Sequence, residues 1–326
     1  MRSASGLPFD DIRNLMNGLP GPDKERWQGI RSGLDALAWP AASFGRLVPM
    51  TEWLAAWQAE GPQVLRPLLA IFAATHGAEE SGIAGEGELA AQKEVELIAA
   101  GGAPVNQVAL EAGLGLKVFD LALDYPTPNA ADEDALDEAG CAATMAFGME
   151  AIAGGTDLLC LGAVGRGNRV LAGALAAALM GGEADRFLDE PTEAQRRFAE
   201  EACARVQGST DPLEFLRRLG GREMAAIAGA ILAARYQRIP VLLDGFVSTA
   251  AAAVLLKANE RALDHCMAAH AASPAHADLL NDLGLKPILD YGIGAENGLG
   301  AALAVSHLKQ AAAAVRQTVT REAAGL

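Results

Sequence analysis

Residues 157–180 read DLLCLGAVGRGNRVLAGALAAALM. The first nine form a short apolar run that runs into glycines, and residues 169–180 continue as an alanine- and leucine-rich helix. A continuous apolar run of this length predicts a strand buried on both faces, and the glycine turn into a helix predicts a strand–turn–helix unit. Three further runs have the same character: LLAIFAAT (68–75), LKVFDLAL (116–123) and IPVLLDGF (239–246). Helical stretches lie between them, among them residues 143–153 and 222–238. Alternating apolar strands and helices predict the α/β class, a parallel sheet covered by helices on both faces.

The ends of the chain differ from this middle. Residues 10–19 and 47–60 read as helices, the second with Trp53 and Trp57 at i, i+4 spacing, which predicts packing between helices. The segment from residue 300 is helical again. The expected organisation is a small helical domain from residues 1–60 plus 301–326 and a large α/β domain from 61–300. The acidic run DEDALDE (132–138) reads as a solvated loop or helix start.

Composition narrows the function. The 326 residues are 51% hydrophobic and 21% charged, so a large core can be buried. Lys and Arg number 26 against 41 Asp and Glu, a net charge of −15. With no basic stripe to offset that charge, a nucleic-acid partner is not expected. Aromatics are only 5%, so the core must be built from small side chains. Cys141, Cys160, Cys203 and Cys266 form no CxxC pair, which predicts buried, reduced thiols rather than a zinc site or disulfides. No apolar signal segment opens the chain, and residues 247–256 are too short to span a bilayer. A cytoplasmic protein without membrane contact is expected.

Ligands of open parallel sheets bind beyond the carboxyl ends of the strands. Three glycine-bearing turns fall there: Thr75-His76-Gly77, the stretch from Gly162 to Asn168, and Asp244-Gly245-Phe246. In the second, Gly162, Gly165, Gly167 and Asn168 precede a helix whose free N–H groups would attract an anion. Arg166 and Arg169 would add charge to that site or fill it. A fourth glycine cluster, GIGAENGLG (292–300), carries Glu296 as its one acid, beside Asn297, Gly298 and Gly300, and a carboxylate there could serve as a general base. Of five histidines, only His76 stands at an expected strand end, and no metal site is expected.

Several blocks together resemble the nicotinate-nucleotide–dimethylbenzimidazole phosphoribosyltransferase (CobT) family. They are SASGLPFDD (3–11), GLKVFDLAL (115–123), CAATMAFGMEAIAGGTDLLCLG (141–162), GGREMAAIAGAILAAR (220–235), IPVLLDGFVSTAAAAV (239–254) and GLGAALA (298–304). The resemblance implies a Rossmann-like sheet domain with a small helical domain, a dimer, and no cofactor. It also implies the reaction: a benzimidazole nitrogen attacks C1′ of nicotinate mononucleotide, nicotinate leaves, and α-ribazole phosphate forms.

The resemblance breaks at the ligand-facing loops. The family's GEMGIGNTT reads GAVGRGNRV (162–170), with Ala163 for a glutamate and Arg169 and Val170 for threonines. Its RLGEGTGAAL reads GAENGLGAAL (294–303), which sets Asn297 where the family's catalytic glutamate stands and Glu296 one residue earlier. Its KPxGSLGRL reads WPAASFGRL (39–47), keeping Ser43 and Arg46 but not the lysine. These losses predict a catalytically impaired chain that binds nucleotide or serves as partner subunit, in a homodimer or beside an intact paralogue. The alternative is an active transferase with Glu296 as base.

Overall fold

The apolar runs form the strands of one sheet because their backbones can pair only with each other once both faces are covered. In the computed structural model, which describes residues 6–58 and 61–326, six strands pair in parallel. They are β1 (Pro67–Ala73), β2 (Gly115–Asp120), β3 (Leu158–Val164), β4 (Val241–Leu243), β5 (Cys266–His270) and β6 (Pro287–Leu289), in the spatial order β2-β1-β3-β4-β5-β6. In register, Leu69 lies opposite Cys160 and Leu161 opposite Leu243. The last two strands were not expected from the sequence.

Alternate residues of each strand enter opposite layers. Ala70, Phe72, Leu159 and Leu161 point into one core with α1 (Pro8–Asn17), α6 (Glu138–Met149), α7 (Asn168–Met180), α9 (Pro212–Leu219), α10 (Arg222–Tyr236) and α11 (Gly245–Ala258). Leu69, Ile71, Leu158 and Cys160 point into the other, with α3 (Leu47–Trp57), α4 (Ala91–Ala99), α5 (Pro104–Glu111) and α13 (Leu299–Gln317). The helices α8 (Glu193–Arg205) and α12 (Pro274–Leu283) complete the set, and α2 (Lys24–Asp35) lies on α3.

Local signals set the helix ends. Asp137 caps α6 through the N–H of Gly140 at 2.6 Å, so the acidic run at 132–138 ends as a helix start. Thr192 and Gln195 form a reciprocal capping box on α8. Small residues let α6 and α10 touch backbone to backbone: a Cβ on Gly148 would stand 1.9 Å from the Ala226 carbonyl oxygen, and one on Gly229 1.9 Å from that of Met145.

The two chain ends meet through Leu34, Leu37 and Val315, and Leu37 bridges to Thr320. The boundary expected after residue 300 falls inside α13, whose Ala301, Val305 and Leu308 belong to the sheet core. Trp53 and Trp57 are buried in the core between helices, as expected, and the Trp57 ring packs against His265 and against Arg235 of α10. The helix expected over 47–60 reaches residues 59 and 60, and the block at 3–11 begins with residues 3–5; these positions lie outside the described residues. Cys141, Cys160 and Cys266 are buried, and burial pushes the Cys141 thiol up to about 12. No described helix is long and apolar enough to cross a membrane.

Candidate active site

The strand order reverses between β1 and β3, which opens a crevice beyond their carboxyl ends. Two loops meet there, the β3–α7 turn and the segment between β6 and α13. Their meeting depends on Gly162. A Cβ at that position would stand 2.8 Å from Asn297 C and Gly298 N, so only glycine lets the second loop lie directly on β3. Ala163 donates its backbone N–H to the Glu296 carbonyl at 2.7 Å, which fixes the register of the two loops.

The β3–α7 turn ends in Gly167, whose φ of +73° is the left-handed cap of α7. The Gly167 N–H donates to Glu88 Oε2 at 2.8 Å, so a carboxylate of the chain itself lies at the anion-attracting helix start. Asn168 is buried and its Nδ2 has no hydrogen-bond partner. The Arg169 guanidinium pairs with Asp189, donates to Ser273 Oγ, and lies 5.9 Å from the Phe246 ring centre. Arg166 is exposed.

On the far side of the crevice Glu296 turns toward α11. Its Oε2 accepts the Val247 N–H at 3.0 Å, and its Oε1 is sealed from solvent without a donor, although part of the residue reaches the surface. Burial is the main force on this carboxyl and pushes its pKa up to about 7, against the opposing charge of Arg169 and the Val247 hydrogen bond. Asp244, at the end of β4, accepts the N–H groups of Gly298 at 2.7 Å and Ala301 at 2.6 Å and so starts α13. Gly300 seats against the His270 ring. His270 lies 3.4 Å from Asp244 and is held protonated more readily than a free histidine: burial lowers its pKa, and Asp244 more than offsets this. Asn297 Nδ2 donates to Glu94 Oε1 at 2.8 Å, while Asn297 Oδ1 is buried without a partner.

The fold thus brings Gly162, Gly165, Gly167, Asn168, Arg169, Glu296, Asn297, Gly298 and Gly300 to one end of the sheet. His76 lies beneath them with a fully buried side chain, its Nε2 3.2 Å from Glu223 Oε1. Ser43 and Arg46 are elsewhere: both are exposed, and Arg46 donates to the Pro287 carbonyl at the start of β6. A cavity of about 600 Å³ between Arg66, Met149 and Tyr236 also lies at the amino ends of the strands, away from the crevice. Asp244, Glu88, Glu94, Glu223 and His270 were not singled out as site residues. Asp244 had a signal, its place at an expected strand end; Glu94 had none, being one more acid in a helix. Among the described residues no three His, Cys, Asp or Glu side chains converge as metal ligands.

A parallel sheet that gathers a glycine turn and helix starts around one crevice is an α/β architecture built to hold a ligand beyond its strand ends, and comparison shows which family uses it here. A family model described as phosphoribosyltransferase matches residues 19–326. The chain is 50% identical to the nicotinate-nucleotide–dimethylbenzimidazole phosphoribosyltransferase of Allorhizobium ampelinum, over 99% of this chain and 98% of that one. The protein of the same name from Agrobacterium fabrum is also 50% identical, over 99% and 97%. The crystal structure of the Thermus thermophilus protein of that name superposes with a TM-score of 0.87 at 31% identity, covering 93% of this chain and 98% of that chain. The chain belongs to the nicotinate-nucleotide–dimethylbenzimidazole phosphoribosyltransferase (CobT) family.

Proposed function

We propose that the protein transfers the phosphoribosyl group of nicotinate mononucleotide to a benzimidazole-type base, forming α-ribazole phosphate for the lower ligand of cobalamin. One observation carries this reading. The loop bearing Glu296 and Asn297 is seated on Gly162, so carboxylates and the glycine turn share a single crevice. The start of α7 at Gly167 offers an N–H donor for the phosphate once Glu88 gives way, Arg169 adds a cation, and a carboxylate takes the proton released by the base. The relatives at 50% identity carry the name of the active enzyme, which supports the same reading. A cytoplasmic homodimer accompanies the proposal.

The impaired-subunit reading keeps one observation in its favour: Asn297, which cannot take a proton at neutral pH, replaces the glutamate that the family resemblance implies. Carboxylates at neighbouring positions, Glu296 and Glu94, answer that loss. The test is purified protein with nicotinate mononucleotide and 5,6-dimethylbenzimidazole. Product at a turnover of roughly 1 to 10³ per second is expected. No product at high enzyme concentration would overturn the transfer reading and leave the partner-subunit one.

A further inference from the structure

Glu94 lies in α4, 203 residues from Asn297 in the chain, and is only partly buried. A carboxylate accepts hydrogen bonds and cannot donate them, so the Asn297 amide must turn its Nδ2 toward Glu94 and leave Oδ1 as an acceptor. That Oδ1 is buried and bonded to nothing. Glu94 Oε2 has no hydrogen-bond donor among the described residues either. Of the two, Asn297 Oδ1 is the one closed off from solvent, and a buried acceptor left unmatched is costly, whereas Glu94 Oε2 stays open for a donor. The missing partner is an N–H group. A neutral benzimidazole carries one N–H and one lone-pair nitrogen.

We infer that Glu94, held in place by Asn297, is the group that takes the proton from the incoming aromatic base. The inference rests on the transfer reaction proposed above. The lone pair of one ring nitrogen forms the new bond to C1′. The bond from C1′ to the nicotinate nitrogen breaks, and its electron pair stays with the leaving ring. The N–H proton of the attacking base passes to Glu94 Oε2 and returns to solvent after product leaves. Glu296, the acid that the sequence singles out for this task, is a poorer acceptor by geometry, because Oε2 is engaged by the Val247 N–H and Oε1 is sealed. Burial, with the nearby charge of Glu88, raises the Glu94 carboxyl above an ordinary glutamate and so favours proton uptake, the Asn297 bond opposing.

The test is steady-state kinetics of Glu94→Gln, Glu296→Gln and the double change Glu94→Gln with Asn297→Glu. Glu94→Gln lowers kcat about 10²- to 10⁴-fold while KM for nicotinate mononucleotide stays within about threefold. The double change transposes carboxylate and amide and recovers at least about tenfold of the lost rate, a gain that a structural role for Glu94 would not give. A Glu94→Gln enzyme within about threefold of wild-type kcat, or loss of rate confined to Glu296→Gln, overturns the inference. If the wild-type protein forms no product, the transfer reading itself has failed. Calorimetric titration with 5,6-dimethylbenzimidazole then decides on Glu94: weakening by at least about fivefold in Glu94→Gln supports its contact with the base, and unchanged affinity refutes it.

Discussion

The Asp244 carboxylate accepts the backbone N–H of Gly298 at 2.7 Å, which ties the end of β4 to the start of α13. Its other oxygen takes the Ala301 N–H, so one buried side chain satisfies two orphan donors of the helix. Asparagine offers a single acceptor oxygen and would face the second N–H with its own NH₂. Asp244→Asn is therefore expected to cost about 2–3 kcal/mol in urea unfolding. A midpoint unchanged from wild type would show that α13 starts without this cap.

The His76–Glu223 pair predicts a pH-dependent loss. Both side chains are fully buried, and their 3.2 Å approach lacks hydrogen-bond direction, so charge carries the interaction. Burial lowers the His76 pKa, and Glu223 more than offsets it, leaving the net value raised. A raised histidine contributes stability that is complete below its unfolded pKa of 6.5 and lost as pH rises through the folded value. Glu223→Ala should cost about 3–5 kcal/mol at pH 6, and the gap to wild type should narrow at high pH. A gap that widens with pH would refute the pairing.

Two glycine-to-alanine changes should have opposite signs. Gly229→Ala drives a methyl into the Met145 carbonyl of the facing helix and is expected to destabilise by about 3 kcal/mol or more. Gly29, exposed in α2 with open space around its Cβ position, should gain about 0.4–1 kcal/mol on becoming alanine. Chemical denaturation of the two variants reads both signs directly.

Glu296 sets a second pH dependence, in the same direction as that of His76 but arising from burial of a carboxyl. With its pKa pushed up from 4.5 to about 7, the folded protein keeps a proton that the unfolded chain has released. Its contribution to stability therefore falls as pH rises between those values. Glu296→Gln removes this term, and its stability relative to wild type should improve by about 1–3 kcal/mol from pH 5 to pH 8. Thermal unfolding across that range checks it; a relative stability flat with pH would mean that the carboxyl titrates normally.

Glu88 competes for the helix start that the nucleotide phosphate is proposed to use. Removing its charge in Glu88→Gln should tighten nicotinate mononucleotide several-fold in calorimetry, the gain shrinking as salt screens the site. Equal or weaker binding would place the phosphate elsewhere.

Residues 158–164 and 241–243 declared themselves as strands because a stretch buried on both faces must be apolar throughout, a property visible without any neighbour, but the run expected to end at 246 stops at Leu243, and Gly245 and Phe246 already open α11. The glycines at 162, 165, 167 and 298 were legible as a cluster, and the left-handed φ of Gly167 and Gly298 is a local demand, but the need for a bare backbone at Gly162 is set by Asn297 and Gly298 of the distant loop. β6 was not legible, since three residues carry no period, and β5 is only five residues long. Tertiary structure alone decided which acids matter. Glu94 reaches Asn297 across 203 residues, Glu88 reaches Gly167 across 79, and Asp244 reaches Gly298 across 54. Nothing in the sequence around Glu94 distinguishes it from a solvated helix acid, because its chemistry is set by a partner that only chain folding brings within hydrogen-bond distance.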